Sequence, residues 1–435
     1  MSRLNEPTNE ASAMQKEISA IAEQGGGTTK VEQLIQQYCP DGVEYKKLGD
    51  VCDIKGRIGF RGYTRQDLVE EADGAITLSP SNIINQELNY EDCSYISWAK
   101  YEESPEIKVA VGDVIFTKTA SVGKTALVKY LPKEATINPQ LVVLKNIQCN
   151  SAFLAYVLKT YRFQKEVAKL QGVGSVPNIS QTSLSGITIP IPPRPVQEEI
   201  VRILDNFAEL QAELQAELQK RLQQYNYYRD NLLSFEGRTD VEWKKLGEIC
   251  LKVCSGGTPS RGNSGYFTGD IPWLRTQEVD WKDIYDTEIK ITEDAVKNSS
   301  AKLIPENCVI IAMYGATAGK VGINKIPLTT NQACCNLQIN PQKALYKYVY
   351  YWVCNEYERL KSLGQGSQNN INAQIIKEYP IPIPPLAEQQ RIVSILDRFD
   401  TLTTDITAGL PAEIGARRKQ YEYYRDQLLT FKQKA

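Results

Sequence analysis

A chain of 435 residues is too long for one ordinary hydrophobic core, and with 42% hydrophobic and 23% charged residues it has the composition of an ordinary globular protein. Its 50 basic and 52 acidic residues leave a formal charge of −2, which excludes a protein that coats nucleic acid by bulk charge, so any polyanion must be met by local basic patches. Histidine is absent, which removes the commonest general base and metal ligand together and excludes serine–histidine and cysteine–histidine catalysis.

Residues 1–41 begin with a polar arm carrying Glu6, Glu10 and Glu17 and ending in Gly25-Gly26-Gly27. This reads as a loosely ordered arm, or a short helix on a flexible joint, without the basic start and apolar stretch of a signal peptide. Over 28–38 the spacing of Val31, Leu34, Ile35 and Tyr38 predicts a helix. A first globular unit is expected over 42–185, with strands at 109–111, 114–116 and 141–144 and a closing helix over 152–170. Residues 186–239 hold an exit segment and a long helix, 240–377 a second globular unit, and 378–435 a second exit segment and helix. No apolar run reaches the roughly 18 residues of a membrane span, so no membrane partner and a cytoplasmic location are expected.

The second half restates the first. Ile187-Thr188-Ile189-Pro190-Ile191-Pro192-Pro193 returns as Tyr379-Pro380-Ile381-Pro382-Ile383-Pro384-Pro385. Gln197-Glu198-Glu199-Ile200, with Ile203-Leu204-Asp205-Asn206-Phe207 behind it, returns as Glu388-Gln389-Gln390-Arg391-Ile392 and Ile395-Leu396-Asp397-Arg398-Phe399. Tyr225-Asn226-Tyr227-Tyr228-Arg229-Asp230 likewise returns as Tyr421-Glu422-Tyr423-Tyr424-Arg425-Asp426, and Val43-Glu44-Tyr45-Lys46-Lys47-Leu48-Gly49 as Val241-Glu242-Trp243-Lys244-Lys245-Leu246-Gly247. Two copies of one unit imply a pseudo-twofold molecule. The expected fold class is mixed α/β, with two globular units separated by an antiparallel coiled coil of two long helices.

Pro-Ile-Pro-Pro cannot be helical, so each long helix starts after it. In the first helix Leu210, Leu214, Leu218 and Leu222 step by four, set by Ala-Glu-Leu-Gln repeated from Ala208 to Gln219; the second offers Leu402, Ile406, Leu410 and Ile414. Because four exceeds the 3.6 residues of a helical turn, the stripe is expected to wind around the helix instead of keeping a strict heptad seam. Connectivity makes the pair antiparallel, with the first helix outbound and the second returning. Gly409 and Pro411 mark an expected kink or break.

Motifs for chemistry fall short. Ser121-Val122-Gly123-Lys124-Thr125 ends like a phosphate-binding loop, but the glycine required five positions before Gly123 is Lys118, and the copy Thr317-Ala318-Gly319-Lys320-Val321 also lacks the final hydroxyl. A tight turn bringing Lys124 and Lys320 to a polyanion is preferred. Pro40-Asp41 with Glu44-Tyr45-Lys46 mimics a metal-dependent nuclease motif, yet its carboxylates are too close in sequence to reach one metal from neighbouring strands; a domain-opening strand is the better reading. The ten cysteines are scattered without paired CxxC knuckles, and no Asn-Pro-Pro-aromatic methyltransferase motif or glycine-rich dinucleotide loop occurs. No catalytic or metal-binding residue is therefore assigned.

What remains is local basic and amide-rich chemistry. In the first unit Lys55, Arg57, Arg61, Lys118 and Lys124 are candidate DNA contacts, and in the second Thr258, Ser260, Arg261 and Lys320. Subtracting 196 lays Leu274 on Leu78 and Val279 on Ile83, so that Arg275, Thr276 and Gln277 fall over Ser79, Pro80 and Ser81, followed by Asn82. The framework persists while the polar side chains change, as reading two base sequences from one scaffold requires.

The Pro-Ile-Pro-Pro exits, the paired Gln-x-x-Ile-x-x-x-Leu-Asp-x-Phe helices, the Tyr-x-Tyr-Tyr-Arg-Asp-x-Leu-Leu-x-Phe ends, and Gly257-Thr258-Pro259-Ser260 with Gly269-Asp270-Ile271-Pro272-Trp273 together resemble the specificity subunit of type I restriction-modification systems. The resemblance spans nearly everything after residue 30. It implies a non-catalytic subunit whose two target-recognition domains each read half of an interrupted double-stranded DNA site, with the coiled coil as spacer. It also implies two modification subunits that methylate adenine from S-adenosylmethionine, and restriction subunits that use ATP and Mg. A coiled-coil scaffold without DNA readout and a self-sufficient nuclease are the competing classes. Binding of an interrupted duplex would separate the first, and cleavage by the isolated chain the second.

Overall fold

The computed structural model describes residues 30–57, 62–172, 174–364, 370–404 and 409–434. The chain divides into a first unit of residues 1–213 and 415–435 and a second of residues 214–414. Each is built the same way.

In the first unit an antiparallel sheet runs in the order Asp53–Lys55, Leu141–Lys145, Val114–Thr117, Thr125–Leu127. Its central strands are apolar at every position before their last residues, Thr117 and Lys145, because both faces are covered. Alternation sends Val114, Phe116, Val142 and Leu144 into a core with the helices Ser151–Leu158 and Tyr161–Leu170, and Ile115, Leu141 and Val143 into another core on the opposite face. That second core is closed by a sheet ordered Ala135–Ile137, Gly74–Leu78, Ser94–Ser97, Leu68–Val69, in which the first two strands are parallel.

The second unit repeats the plan. Cys250–Ser255, Cys334–Ile339, Val309–Ala312, Val321–Asn324 and Asp283–Ile284 form the central sheet, with Val309 and Ile311 in one core and Ile310 and Ala312 in the other. Ile271–Leu274 runs parallel to Thr329–Thr330 beside it. The nuclease-like stretches are the domain-opening strands: Glu44–Lys47 pairs with Thr188–Ile191, and Glu242–Lys245 with Pro380–Ile383.

Three expected elements differ. The helix over 152–170 is two helices, because the Thr160 hydroxyl accepts from Phe163 N and starts a new N-terminus. Residues 109–111 form no strand; Val109 makes an isolated bridge to Ala135, and Val111 is exposed. In the helix Lys30–Tyr38, Val31 is buried and Leu34 and Ile35 pack on the core, but Tyr38 is exposed, while Lys30 pairs with Glu199 at 2.7 Å.

The first long helix is continuous over Arg194–Leu232. Its second counterpart is two helices, Leu386–Thr404 and Leu410–Leu428, with Gly409 at a bend and Pro411 in the new first turn, where its missing N–H costs nothing. In the first unit Phe207 meets Tyr421 and Tyr424, while Phe431 accepts from Tyr45, the partner of Pro190. Residue numbers thus rise on one segment as they fall on the other, an antiparallel pairing. In the second unit Phe399 meets Tyr225 and Tyr228, and Phe235 packs on Trp352, which donates to Pro380 O, giving the same sense.

The four leucines of the first helix are all partly buried, but the stripe is wider than they are and keeps closer to a heptad than expected. From Phe207 to Tyr225 the partly or fully buried positions are Phe207, Ala208, Leu210, Gln211, Leu214, Glu217, Leu218, Arg221, Leu222, Gln224 and Tyr225, mostly a seven-residue repeat that admits polar side chains. Arg221 is tolerated there because it donates to Glu217 at 2.7 Å and Gln224 at 3.0 Å. On the returning side Leu402 is 36% exposed and Thr403 is buried in its place, its hydroxyl satisfied by Phe399 O at 2.8 Å. Leu410 and Ile414 are half-buried, and Ile406 lies outside the described residues.

The chain's end seals the first unit. Lys432 O accepts from Val43 N at 2.8 Å and Lys434 N donates to Val43 O at 2.9 Å, so a side chain at Gly42, whose φ is +108°, would strike Lys432 O. Leu233, Phe235 and Val241 close the second unit's core in the corresponding way.

Candidate nucleic-acid interface

Parallel strands end side by side, and in the first unit this brings three turns to one edge. Ile137 stands opposite Leu78, and Asn138 N extends the ladder by donating to Leu78 O at 2.8 Å. After Leu78 the chain enters the 3-10 turn Pro80–Asn82. Asn82 Oδ1 accepts from Ser79 N and Ser79 Oγ, each at 2.9 Å, and Asn82 Nδ2 donates to Asn89 O at 3.3 Å. Asn82 is 5% exposed, so its amide clamps the turn from inside, while Ser81 is exposed with its hydroxyl 2.6 Å from that of Ser79. The second turn is held by Asn138 Oδ1, which accepts from Gln140 N at 2.9 Å.

The third turn joins Val114–Thr117 to Thr125–Leu127 and carries Lys118 and Lys124. Gly123 sits at φ +98° against the end of Gln164, a conformation in which a side chain would be strained. Lys118 N donates to Gln140 O at 2.9 Å, and Lys124 Nζ reaches Pro80 O and Ile83 O at 3.4 Å, tying the three turns together. Lys118 is half-buried, and desolvation holds its ammonium below the ordinary lysine value.

Arg57 is 5% exposed and braces the second strand, donating through Nε to Ile137 O at 3.2 Å and through Nη2 to Thr136 Oγ1 at 3.3 Å, with Tyr63 against its guanidinium. It therefore sits beneath the edge as a positioning group. Lys55 is half-buried on the strand opposite Val143, and Arg61 lies outside the described residues.

The second unit repeats the backbone bonds of the edge. Asn331 N donates to Leu274 O at 2.9 Å, and Asn331 Oδ1 accepts from Ala333 N at 3.1 Å. Glu278 takes the place of Asn82, its carboxylate accepting from Arg275 N at 3.1 Å. Lys320 Nζ donates to Asp280 at 2.6 Å, and Thr317 Oγ1 to Thr276 O at 2.9 Å, again linking the lysine turn to the first turn. Arg275 is held between Glu278 and Glu288, and Gln277, with its amide oxygen turned toward it, accepts from Arg275 Nη2 at 3.0 Å. Gly257 N donates to Thr330 O at 2.9 Å, which sets Thr258 beside Gln332, whose Oε1 accepts from the Thr258 hydroxyl. Ser260 and Arg261 are exposed in the loop beyond.

The edge also holds Asn138, Gln140, Asn331 and Gln332, which the reading of the sequence passed over. Their signal was available: asparagine recurs at the end of the second parallel strand in both copies, with glutamine within two residues. The lysine turns align less simply than a fixed offset implies, because the counterpart of Lys118 is Met313, which donates to Ala333 O at 2.8 Å as Lys118 donates to Gln140 O.

Two copies of one α/β unit, each fronting a clamped edge with a different set of polar side chains, define a duplicated recognition protein. The chain belongs to the type I restriction-modification DNA specificity family: the model of the type I restriction modification DNA specificity domain matches residues 40–224 and 239–416. It is 45% identical over 265 residues to the specificity subunit of the type I restriction enzyme EcoR124I/EcoR124II of Escherichia coli, covering 58% of this chain and 65% of that subunit, just under two thirds of its length. It is 35% identical over 301 residues to a putative type I restriction enzyme specificity subunit of Haemophilus influenzae, covering 65% of this chain and 72% of the relative. The crystal structure of the type I restriction-modification S subunit from M. genitalium matches with a TM-score of 0.51 at 15% identity, over 89% of this chain and 96% of that one. A chain from a structure of type I restriction-modification complex assembly and conformational transition matches at 0.60 and 17%, over 89% and 97%. These two likenesses carry the fold. Among the described residues no helix is long and apolar enough to cross a membrane.

Proposed function

We propose that this chain is the non-catalytic, cytoplasmic DNA-reading subunit of a type I restriction-modification complex, with residues 42–185 and 240–377 each reading one half of an interrupted double-stranded site. Two modification subunits using S-adenosylmethionine would supply adenine methylation, and restriction subunits using ATP and Mg would supply cleavage. The observation that carries this reading is the pair of clamped turns, in which the bonds around Asn82 and Glu278 match while Ser79 and Ser81 are exchanged for Arg275 and Gln277. Serine, arginine and glutamine are side chains that pair with base edges. Methylating an adenine requires taking it out of the stack into a pocket, and the chain carries no motif for that chemistry, so the partner brings it. The purified chain alone should transfer no methyl group to DNA, and addition of the modification subunit should restore transfer at one interrupted sequence. Transfer by the chain free of partner would refute the assignment.

Two substitutions separate base reading from backbone contact. Arg275→Ala is expected to cost about 1–3 kcal/mol of discrimination and to relax one position of one half-site. An equal loss on every sequence would make Arg275 a phosphate contact instead. Lys118→Met copies what the second unit already holds at Met313, so the fold should tolerate it; binding should weaken alike on all sequences, and the salt slope should fall by about one. A phosphate beside Lys118 favours its charged form, whereas burial in the free protein favours the neutral one. Affinity should therefore fall as pH rises through the lowered lysine pKa, and this dependence should vanish in Lys118→Met. Titrations of duplex binding against salt and pH measure both.

A further inference from the structure

The second turn of the edge differs between the units in a way that points to one more reading residue. Its framework is shared. Asn138 and Asn331 extend the parallel ladder with the same backbone bond, and each holds the N–H two residues on with its side-chain oxygen. The residue between is the exposed one, and it is Pro139 in the first unit and Gln332 in the second. Proline offers no side-chain hydrogen bond; glutamine offers a donor and an acceptor in one plane.

Gln332 is not left to rotate. The Thr258 hydroxyl donates to its Oε1, which holds the amide in place and leaves one lone pair on Oε1 and both hydrogens of Nε2 for a ligand. Thr258 is itself placed by Gly257, whose N–H donates to Thr330 O at 2.9 Å and whose carbonyl accepts from the indole of the buried Trp273 at 2.9 Å. Glycine is needed there, since a Cβ at Gly257 would lie 2.2 Å from Ser300 Oγ. A buried aromatic, a backbone bond and a hydroxyl thus fix one exposed amide, an ordering cost already met before any ligand arrives.

Taking the chain as a DNA reader, we infer that Gln332 is a base-reading residue of the second unit, that its partner base is adenine, and that Thr258 is its positioning residue. An oriented carboxamide matches adenine in the major groove, with Nε2 donating to N7 and Oε1 accepting from the N6 amino group. The first unit, with Pro139 at this place, makes no such contact.

The test is a set of full-length chains assembled with the modification subunit, with methylated positions mapped across a genome and competition binding on duplexes varied at each base. Gln332→Ala should lower discrimination at one adenine of one half-site by about 5- to 150-fold, the equivalent of about 1–3 kcal/mol, and leave the other half-site untouched. Gln332→Glu should turn that position toward cytosine, whose N4 amino group suits a carboxylate. Thr258→Val should loosen the same position by a smaller factor, and Thr258→Ser, which keeps the hydroxyl, should restore it. Overturning results are a uniform loss on all sequences, an unchanged site in Gln332→Ala, or relaxation at a base other than adenine. If the wild-type assembly itself showed no preference for any interrupted sequence, the DNA-reading assignment would fall first, which is a different outcome.

Discussion

Exchanging residues 42–185 with residues 240–377 is expected to exchange the two half-sites and leave each one's sequence intact. Each unit carries its own cores on both faces of its central sheet. The joints are also equivalent. Glu44 stands opposite Ile191 and Glu242 opposite Ile383, in the same antiparallel register against a shared Ile-Pro-Ile segment, so a transplanted opening strand meets the backbone it left. Leu48 N donates to Ile187 O at 2.8 Å and Leu246 N to Tyr379 O at 2.9 Å, so the next bond is supplied as well. Mapping methylated adenine in cells carrying the exchanged chain would show the two half-sites in reversed order. A folded, assembling chimera that still methylates the original order would place recognition outside these residues.

Duplication was legible because it lies in long, distinctive strings, and the strands followed from apolar runs such as Leu141-Val142-Val143-Leu144. What the strings concealed was depth. Every residue of that run is buried because the sheet has a core on both faces, so alternation is absent and its two neighbours had to come from the fold. Helix breaks divided in the same manner. Gly409 and Pro411 announced one, whereas the break at Thr160 depends on a hydroxyl accepting from Phe163 N, a choice that a threonine within an apolar stretch does not advertise.

At the edge, residue type misled where a polar side chain serves the fold. Asn82 looked like a reader because asparagine pairs with bases, yet its amide is consumed by Ser79 and Asn89. Arg57 looked like a DNA contact, yet it braces Ile137 and Thr136 beside a tyrosine. Arg57 is satisfied 80 residues away, which a local pattern cannot show, and Asn82 by near neighbours only because the turn buries it. The internal comparison still located the turn, because the position of the clamp is what the two copies share and the exposed neighbours are what they change.

Removing one Ala-Glu-Leu-Gln unit from the helix Arg194–Leu232 is expected to shorten the preferred gap between half-sites by one or two base pairs while both half-sites stay the same. Four helical residues span about 6 Å, against about 3.4 Å per base pair. The helix is continuous from the first unit into the second, so the deletion shortens the connection instead of being absorbed in a loop. Four residues also turn the helix by about 40° beyond one full rotation, close to the twist of one base pair at about 10.5 pairs per turn, so length and rotation change together in the sense a duplex requires. The seam tolerates this. Its buried positions follow a seven-residue repeat, in which removing four residues equals inserting three, a stammer that overwinds a coiled coil only locally. Gln211 and Arg221 already occupy seam positions, and anchoring lies outside the repeated units, with Phe207 on Tyr424 before them and Tyr228 on Phe399 after them. A deletion of three residues would instead carry the helix about 60° short of a full turn and should cost assembly. Genome-wide mapping of methylated adenine in cells with the natural chain, the four-residue deletion and the three-residue deletion tests the ruler directly. An active four-residue deletion with an unchanged gap would show that the helix does not set it.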